Sequence, residues 1–194
     1  MGWIKLCYFI AVLSLFVLSG CSYPQPEYES KFTTVTVIGD SYANGLQALV
    51  AARLHHQNVP ANVGLAAVGG SGYVNRGYRN AVFGDEVPKA VKPDDRLVVL
   101  FGSRNDAPMP LDDLASAARS TYERVQQIAP QARILVIGPS WVEGAPTNEG
   151  LGVRDVLRRE AEAVGATFVD PISEGWFVGM PQLISPDGVH PNTA

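Results

Sequence analysis

The chain has 194 residues, of which 46% are hydrophobic and 18% are charged, and its formal net charge at pH 7 is -4. This length and apolar content are enough for one well-buried domain. A nucleic-acid-binding surface is excluded because the sequence contains no cluster or stripe of lysine and arginine.

The first 20 residues have the pattern of a secretory signal peptide. Lys5 precedes an apolar run over residues 6–18, which is short for a membrane span but suits the hydrophobic region of such a peptide. Residues 18–21, Leu-Ser-Gly-Cys, resemble a bacterial lipobox. That resemblance implies cleavage before Cys21, a lipid on Cys21, and anchoring to the membrane on the extracytoplasmic side, in the cell envelope. The alternative is ordinary signal cleavage, or an uncleaved anchor, with a chance cysteine.

The cysteine content and the residues that follow fit the lipoprotein interpretation. The two cysteines are Cys7 and Cys21, so a domain after the cleavage site would contain no thiol and no internal disulfide. Residues 22–30 contain two prolines and little apolar content, as an extended tether does. We predict a signal peptide over residues 1–20, a tether over residues 21–30 and one domain over residues 31–194.

A serine lies between the first predicted strand and the first predicted helix. The apolar, β-branched run over residues 32–38 predicts a strand, and residues 42–54 predict a helix. Ser41 follows this strand in the sequence Gly-Asp-Ser. Beyond the carboxyl ends of such strands, a helix N-terminus offers free N–H groups to a ligand. This position suits a nucleophile, although Gly-Asp-Ser is also ordinary turn and capping sequence.

The first predicted helix has apolar residues at helical spacing, so we expect it to face the core through Leu46, Leu49, Val50 and Leu54. His55 and His56 follow at its end. Being adjacent in sequence, they do not share a helix face, which favours capping or surface roles over a metal site.

Two more predicted strands also end in polar or glycine-rich sequence. The second, over residues 62–68, leads into Gly69 and Gly70, where backbone N–H groups can approach a ligand or simply form a flexible turn. The third, over residues 96–101, leads to Asn105, whose amide can donate two hydrogen bonds. The alternative for Asn105 is an Asn-Asp turn.

The remaining pattern alternates between helices and strands. Because such alternation implies right-handed βαβ units, we predict a three-layer α/β/α sandwich around a parallel, flavodoxin-like, five-stranded sheet. The further helices are predicted near residues 86–91, 111–129 and 149–164, and the fourth and fifth strands at residues 133–137 and 167–169.

Near the end of the chain, Asp187 precedes His190 by three residues. An aspartate at this distance can hold the imidazole in one tautomer and stabilise its charged form, as a serine nucleophile requires of its base. The same residues, Asp-Gly and His-Pro, are also turn dipeptides.

The four motifs agree in their order and in their placement after strands. Gly-Asp-Ser at Ser41, Gly-Gly at Gly70, Gly-x-x-Asn-Asp at Asn105 and Asp-x-x-His-Pro at His190 together resemble the SGNH hydrolases of the GDSL esterase/lipase superfamily. The resemblance covers the whole domain. It departs from the family at Tyr42, where leucine or isoleucine is usual, and in the third motif, which has one extra residue before Asn105.

The resemblance implies a role for each matching residue. Ser41 would be the nucleophile, His190 the general base, and Asp187 the residue that orients the base. The oxyanion hole would consist of the backbone N–H of Ser41, that of Gly70 or its neighbour Gly69, and the amide of Asn105. Asp40 and Asp106 would hold the motif turns, and no metal or organic cofactor is implied.

Family members often continue with a closing helix, whereas Ala194 follows His190 by four residues. We therefore expect His190 to lie on a weakly anchored segment.

Three side chains are candidates for contact with substrate. Trp141 and Trp176 are expected near the edge that carries Ser41, where each would either bind a sugar or acyl group or cover the core. Arg104 would either meet an anionic substrate or form a surface salt bridge.

The leading functional hypothesis is a serine-dependent hydrolase of short acyl esters, with O-acetyl groups of an envelope glycan as the main candidate. Lipid esters come second. An acyltransferase with the same triad and a non-catalytic glycan-binding module on the same scaffold are the alternatives, since a fold does not determine a function.

Overall fold

Five parallel strands form the centre of the computed structural model, which describes residues 32–142 and 144–192. The strands are β1 (Thr33–Gly39), β2 (Ala61–Ala67), β3 (Leu97–Phe101), β4 (Arg133–Ile137) and β5 (Thr167–Val169). Their order in the sheet is β2-β1-β3-β4-β5, which confirms the predicted flavodoxin-like arrangement. The predicted signal peptide, Cys21 and the tether lie outside the described residues.

Helices cover both faces of this sheet, as predicted. They are α1 (Leu46–His56), α2 (Phe83–Ala90), α3 (Leu111–Ile128) and α4 (Asn148–Ala163). Because side chains alternate along a strand, Val98 and Leu100 of β3 join the core under α2, α3 and α4, whereas Val99 and Phe101 face α1 on the other side. The second face is also covered by residues of the C-terminal segment, among them Trp176 and Val189.

The first helix differs from its prediction in start and burial. Residues Ser41–Ala43 form a single 3-10 turn, and α1 begins only at Leu46 because Gly45, with φ of 82°, interrupts the helical path. Leu46, Val50 and Leu54 pack partly against the sheet, but Leu49 is 67% exposed. The expectation that Leu49 faces the core is therefore wrong, and no residue of α1 is fully buried.

None of the helices in the described part of the chain is both long and apolar enough to cross a membrane.

Candidate active site

Ser41 follows the carboxyl end of β1, a strand paired on both sides, where the chain leaves the strand in a tight turn. The turn is held by Asp40, whose buried Oδ1 accepts a hydrogen bond from the Tyr42 backbone N–H at 2.8 Å. The Ser41 N–H donates to no described residue. It is therefore available to a ligand that binds at the serine.

Ser41, His190 and Asp187, which are far apart in sequence, form one hydrogen-bonded chain. His190 Nε2 lies 2.8 Å from Ser41 Oγ, and His190 Nδ1 lies 2.7 Å from Asp187 Oδ2. With Nδ1 donating to the carboxylate, Nε2 accepts the hydrogen bond from the serine hydroxyl. This is the geometry in which an imidazole can remove the proton of a serine.

Asp187 is held in place by its own turn. Its Oδ1 accepts hydrogen bonds from the backbone N–H groups of Val189 and His190, at 2.9 and 3.0 Å. The hydrogen bond from the His190 ring, and then these backbone donors, lower the pKa of Asp187 to about 2. Asp187 is therefore an anion at any pH near neutral, able to stabilise a charged imidazole.

The loop that carries His190 is anchored on both sides, contrary to the weakly anchored segment expected from the sequence. The Ser185 N–H donates to the His190 carbonyl at 2.8 Å, and the Asn192 N–H donates to the Leu183 carbonyl at 2.8 Å. The Tyr42 hydroxyl donates to the carbonyl of Val189. The Tyr42 and His190 ring centroids are 5.8 Å apart. Tyr42, the residue that departs from the family pattern, thus connects the serine turn to the histidine loop.

The predicted oxyanion-hole residues surround Ser41, but the Asn105 amide is already engaged. Asn105 Nδ2 donates to Ser71 O at 2.9 Å and to Asp40 Oδ2 at 3.2 Å, two acceptors for its two hydrogens. Donation to an oxyanion would require one of these contacts to be shared or released. The N–H groups of Gly69 and Gly70 donate to no described residue, so both remain candidates for the glycine donor.

Asp106 organises the glycine-rich loop after β2. Its carboxylate accepts hydrogen bonds from the backbone N–H groups of Tyr73, Val74 and Asn75, at 2.8, 3.0 and 2.8 Å. A Cβ at Gly72 would lie 2.3 Å from Asp106 Oδ2, so this close approach requires a glycine. Asp106 therefore holds a motif turn, the role that the resemblance implies.

Both buried aspartates of the motifs have raised pKa values. Burial raises the pKa of Asp40 from 3.8 to about 6, although the hydrogen bond from Tyr42 N–H opposes the shift. Burial also raises the pKa of Asp106, against the backbone hydrogen bonds that it accepts. Neither carboxylate lies in the hydrogen-bonded chain of Ser41, which fits a positioning role.

A solvent-accessible cleft of about 720 Å³ surrounds Ser41. Besides residues of the four motifs and Ala67 and Val68 at the end of the second strand, Asn44, Tyr78 and Arg79 line it, and the sequence pattern identified none of these three. Tyr78 and Arg79 belong to an irregular segment without periodicity. The contact that brings them to the cleft is the hydrogen bond from Tyr78 N–H to Gly69 O, at 3.0 Å.

The two tryptophans do not line the cleft. Trp176 packs edge-on against Phe101, with ring centroids 6.3 Å apart, and its indole N–H donates to Glu174. The structure therefore favours the core-covering alternative for Trp176. Trp141 lies under the Arg104 guanidinium, 4.9 Å from its ring centroid, and adjoins the cleft through that side chain.

Within residues 32–142 and 144–192, no group of three or more histidine, cysteine, aspartate or glutamate side chains is placed to hold a metal ion.

Comparisons with known proteins identify the family. The profile of the GDSL-like Lipase/Acylhydrolase family matches residues 37–194. A GDSL lipase from Mycobacterium tuberculosis is 42% identical over 190 residues, covering 90% of this chain and 82% of that protein.

Among solved structures, TesA has a TM-score of 0.66 at 20% identity, covering 82% of this chain and 89% of its own. The lipase/acylhydrolase from Enterococcus faecalis has a TM-score of 0.67 at 14% identity, covering 84% and 88%. At these identities the structural likenesses concern the fold.

Proposed function

The chain belongs to the GDSL-like lipase/acylhydrolase family and is a serine ester hydrolase of that type, and on this premise we propose that Ser41, His190 and Asp187 are its catalytic triad. The observation that carries the proposal is the continuous hydrogen-bonded chain from Ser41 Oγ through the His190 ring to Asp187.

In the proposed mechanism Ser41 Oγ attacks the ester carbonyl while His190 Nε2 takes the hydroxyl proton. Asp187 remains ionised and stabilises the imidazolium that forms. The negative charge on the carbonyl oxygen is stabilised by N–H donors at Ser41 and Gly70 and by the Asn105 amide. The imidazolium then protonates the departing alcohol. A water molecule, activated by His190, releases the acyl group from Ser41.

We propose short acyl esters as the substrates, with O-acetyl groups of an envelope glycan as the main candidate. The polar lining of the cleft supports this choice, because most of its side chains are charged or polar and only Ala67, Val68 and Val189 are aliphatic. A solvent-accessible cleft with these hydrogen-bonding side chains can receive a hydroxyl-rich alcohol.

The test is hydrolysis of a p-nitrophenyl ester series from acetate to palmitate by the purified protein, with Ser41→Ala as the control. We expect activity on the shortest esters, a decline with chain length, and loss of activity in Ser41→Ala. Activity that survives in Ser41→Ala would remove the serine from the mechanism. Preference for palmitate would favour a lipid esterase.

Product analysis with an acetylated glycan and a second, acceptor glycan separates the remaining alternatives. Release of free acetate supports the hydrolase, whereas acetyl transfer to the acceptor would identify an acyltransferase. Glycan binding without turnover, unaffected by Ser41→Ala, would indicate a binding module.

We further propose that Cys21 carries the lipid that anchors the protein on the extracytoplasmic side of the membrane. The support is the lipobox-like sequence at residues 18–21. Fractionation of cells that express the full chain tests it. The protein should sediment with membranes and incorporate labelled lipid. Cys21→Ser should abolish the labelling and either release the protein or leave it uncleaved. Unchanged lipid labelling in Cys21→Ser would contradict the proposal.

A further inference from the structure

The cleft around Ser41 contains two positive charges that ester hydrolysis itself does not need. Arg79 and Arg104 both line it, together with the serine and His190. Neither guanidinium forms an ion pair with a carboxylate of the described residues. A surface salt bridge was the alternative role expected for Arg104 from the sequence, and the described residues contain no such bridge.

Arg104 is held in place without a counter-charge. Its guanidinium lies 4.9 Å from the centroid of the Trp141 ring, and it lies beside the Tyr42 hydroxyl, where its charge opposes the raised pKa that burial gives that phenol. Stacking occupies a face of the planar guanidinium and leaves N–H groups along its edge to donate. Arg104 is thus a half-buried, oriented donor at the wall of the cleft.

Arg79 approaches from the other side. It follows Tyr78, whose N–H donates to Gly69 O at the end of β2. Arg104 follows β3, and β1 with Ser41 lies between β2 and β3 in the sheet. The two arginines therefore flank the nucleophile along the carboxyl edge of the sheet.

The carboxylates near the serine do not neutralise this pair. Asp40 is buried and accepts from Tyr42 N–H and Asn105. Asp187 accepts from the His190 ring. Both carboxylates are engaged by other donors.

We propose that this enzyme acts on esters that carry an anionic group, a carboxylate or a phosphate, and that Arg79 and Arg104 bind that anion beside Ser41. The inference rests on the proposed function and specifies its substrate class. Guanidinium groups suit this role because their paired N–H donors match the oxygens of carboxylate and phosphate.

Two pairs of esters, matched in size and differing in charge, test the proposal. p-Nitrophenyl hydrogen glutarate carries a carboxylate on the acyl side, and its methyl ester is neutral at the same position. 4-Acetoxybenzoate carries the carboxylate on the alcohol side, and its methyl ester is again neutral. The measured quantity is the ratio of kcat/KM for the anionic ester to kcat/KM for its neutral partner, with the rate of Ser41→Ala subtracted as background.

We expect the wild-type protein to prefer the anionic member of at least one pair. Arg79→Gln or Arg104→Gln should lower that ratio on the order of tenfold, mainly through KM, as expected for loss of a charge-assisted hydrogen bond. The pair that responds identifies the side on which the anion binds. The matched control is Arg124→Gln, which removes the same charge from the exposed surface of α3 and should leave the ratio at the wild-type value. Raising the salt concentration should reduce the preference.

The proposal is overturned if neither pair shows a preference, or if the ratio is the same in wild type, Arg79→Gln and Arg104→Gln. In that case, hydrolysis of the neutral esters that depends on Ser41 would still support the proposed function. If no ester is hydrolysed, calorimetric binding of 4-acetoxybenzoate and p-nitrophenyl hydrogen glutarate to Ser41→Ala protein decides the matter. Binding of either that weakens in an arginine variant supports the anion site, and no binding refutes it.

Discussion

The two ends of the hydrogen-bonded chain at the cleft are built in different ways. Ser41 belongs to a turn at the end of a central strand, backed by the buried Asp40. Asp187 and His190 belong to a surface loop, and their side chains are 49% and 41% exposed. The serine is thus positioned by the sheet, whereas the base is positioned by hydrogen bonds within its own loop and by one side chain, Tyr42.

The aspartates of these two regions show what the difference means for charge. Burial dominates at Asp40 and raises its pKa to about 6, whereas hydrogen bonds to His190 and the local backbone dominate at Asp187 and lower its pKa to about 2. Both carboxylates accept backbone N–H groups, so hydrogen bonding alone does not separate them. Access to water decides which aspartate is the more stable anion.

Asp187→Asn should have the largest effect, because it changes the group that orients the base. An amide at this position offers Nδ2 to the His190 ring and favours the tautomer with its proton on Nε2, which cannot accept the Ser41 proton. We expect kcat for p-nitrophenyl acetate to fall on the order of 1,000-fold, with little change in KM.

The control is Asp155→Asn, which removes an exposed carboxylate from α4 and should leave kcat unchanged. A small loss in Asp187→Asn, below about tenfold, would mean that water in this exposed loop replaces the carboxylate. The loop would then hold His190 in position, but the negative charge of Asp187 would not be needed for catalysis.

Asp40→Asn should have an intermediate effect, seen in the pH dependence of stability. Because the pKa of Asp40 is raised in the folded protein, the protonated carboxyl favours folding. This contribution to stability is fully present below pH 3.8 and is lost as the pH rises through about 6. At about 1.4 kcal/mol per pKa unit, the loss is about 3 kcal/mol. The unfolding free energy of Asp40→Asn, relative to wild type, should therefore increase by up to that amount between about pH 4 and pH 7.

Chemical denaturation at several pH values measures this difference. Any constant offset, such as that from the introduced amide facing the Asn105 amide, does not depend on pH. The same measurement on Asp155→Asn controls for the removal of a carboxylate elsewhere in the protein. A difference that stays constant for Asp40→Asn would show that the pKa of Asp40 is near its ordinary value and that burial does not dominate in this turn.

Much of the fold could be predicted because it depends on local pattern. The bounds of β4 and β5 agree with the predicted residues 133–137 and 167–169, since short apolar runs between turn residues define both strands. The Asp187 to His190 spacing also reflects a local turn, and the structure brings that turn to Ser41. Because the carboxyl ends of parallel strands share one edge, the order of the motifs was enough to place Ser41, Gly70 and Asn105 together.

The features that could not be predicted depend on contacts between distant segments. Arg79 reaches the cleft because Tyr78 pairs with Gly69, and no periodicity marks that segment. Asn105 lines the cleft, but the sequence could not show that its amide donates to Ser71 and Asp40, which lie 34 and 65 residues away. Trp176 covers Phe101, and its sequence position alone could not separate this role from substrate contact.

Tyr42→Phe should have the smallest effect, and it tests the one side chain that joins the two regions. The substitution keeps the ring beside His190 and removes the hydrogen bond to the Val189 carbonyl. Loss of one such hydrogen bond costs about 1 kcal/mol. Because it loosens the placement of His190, we expect kcat to fall about three- to tenfold, with little change in KM. Tyr42→Leu, which restores the residue usual in the family, also removes the ring and should cost more. If Tyr42→Phe leaves kcat unchanged, the hydrogen bonds of Ser185 and Asn192 are enough to hold His190, and the loop is positioned independently of the serine turn.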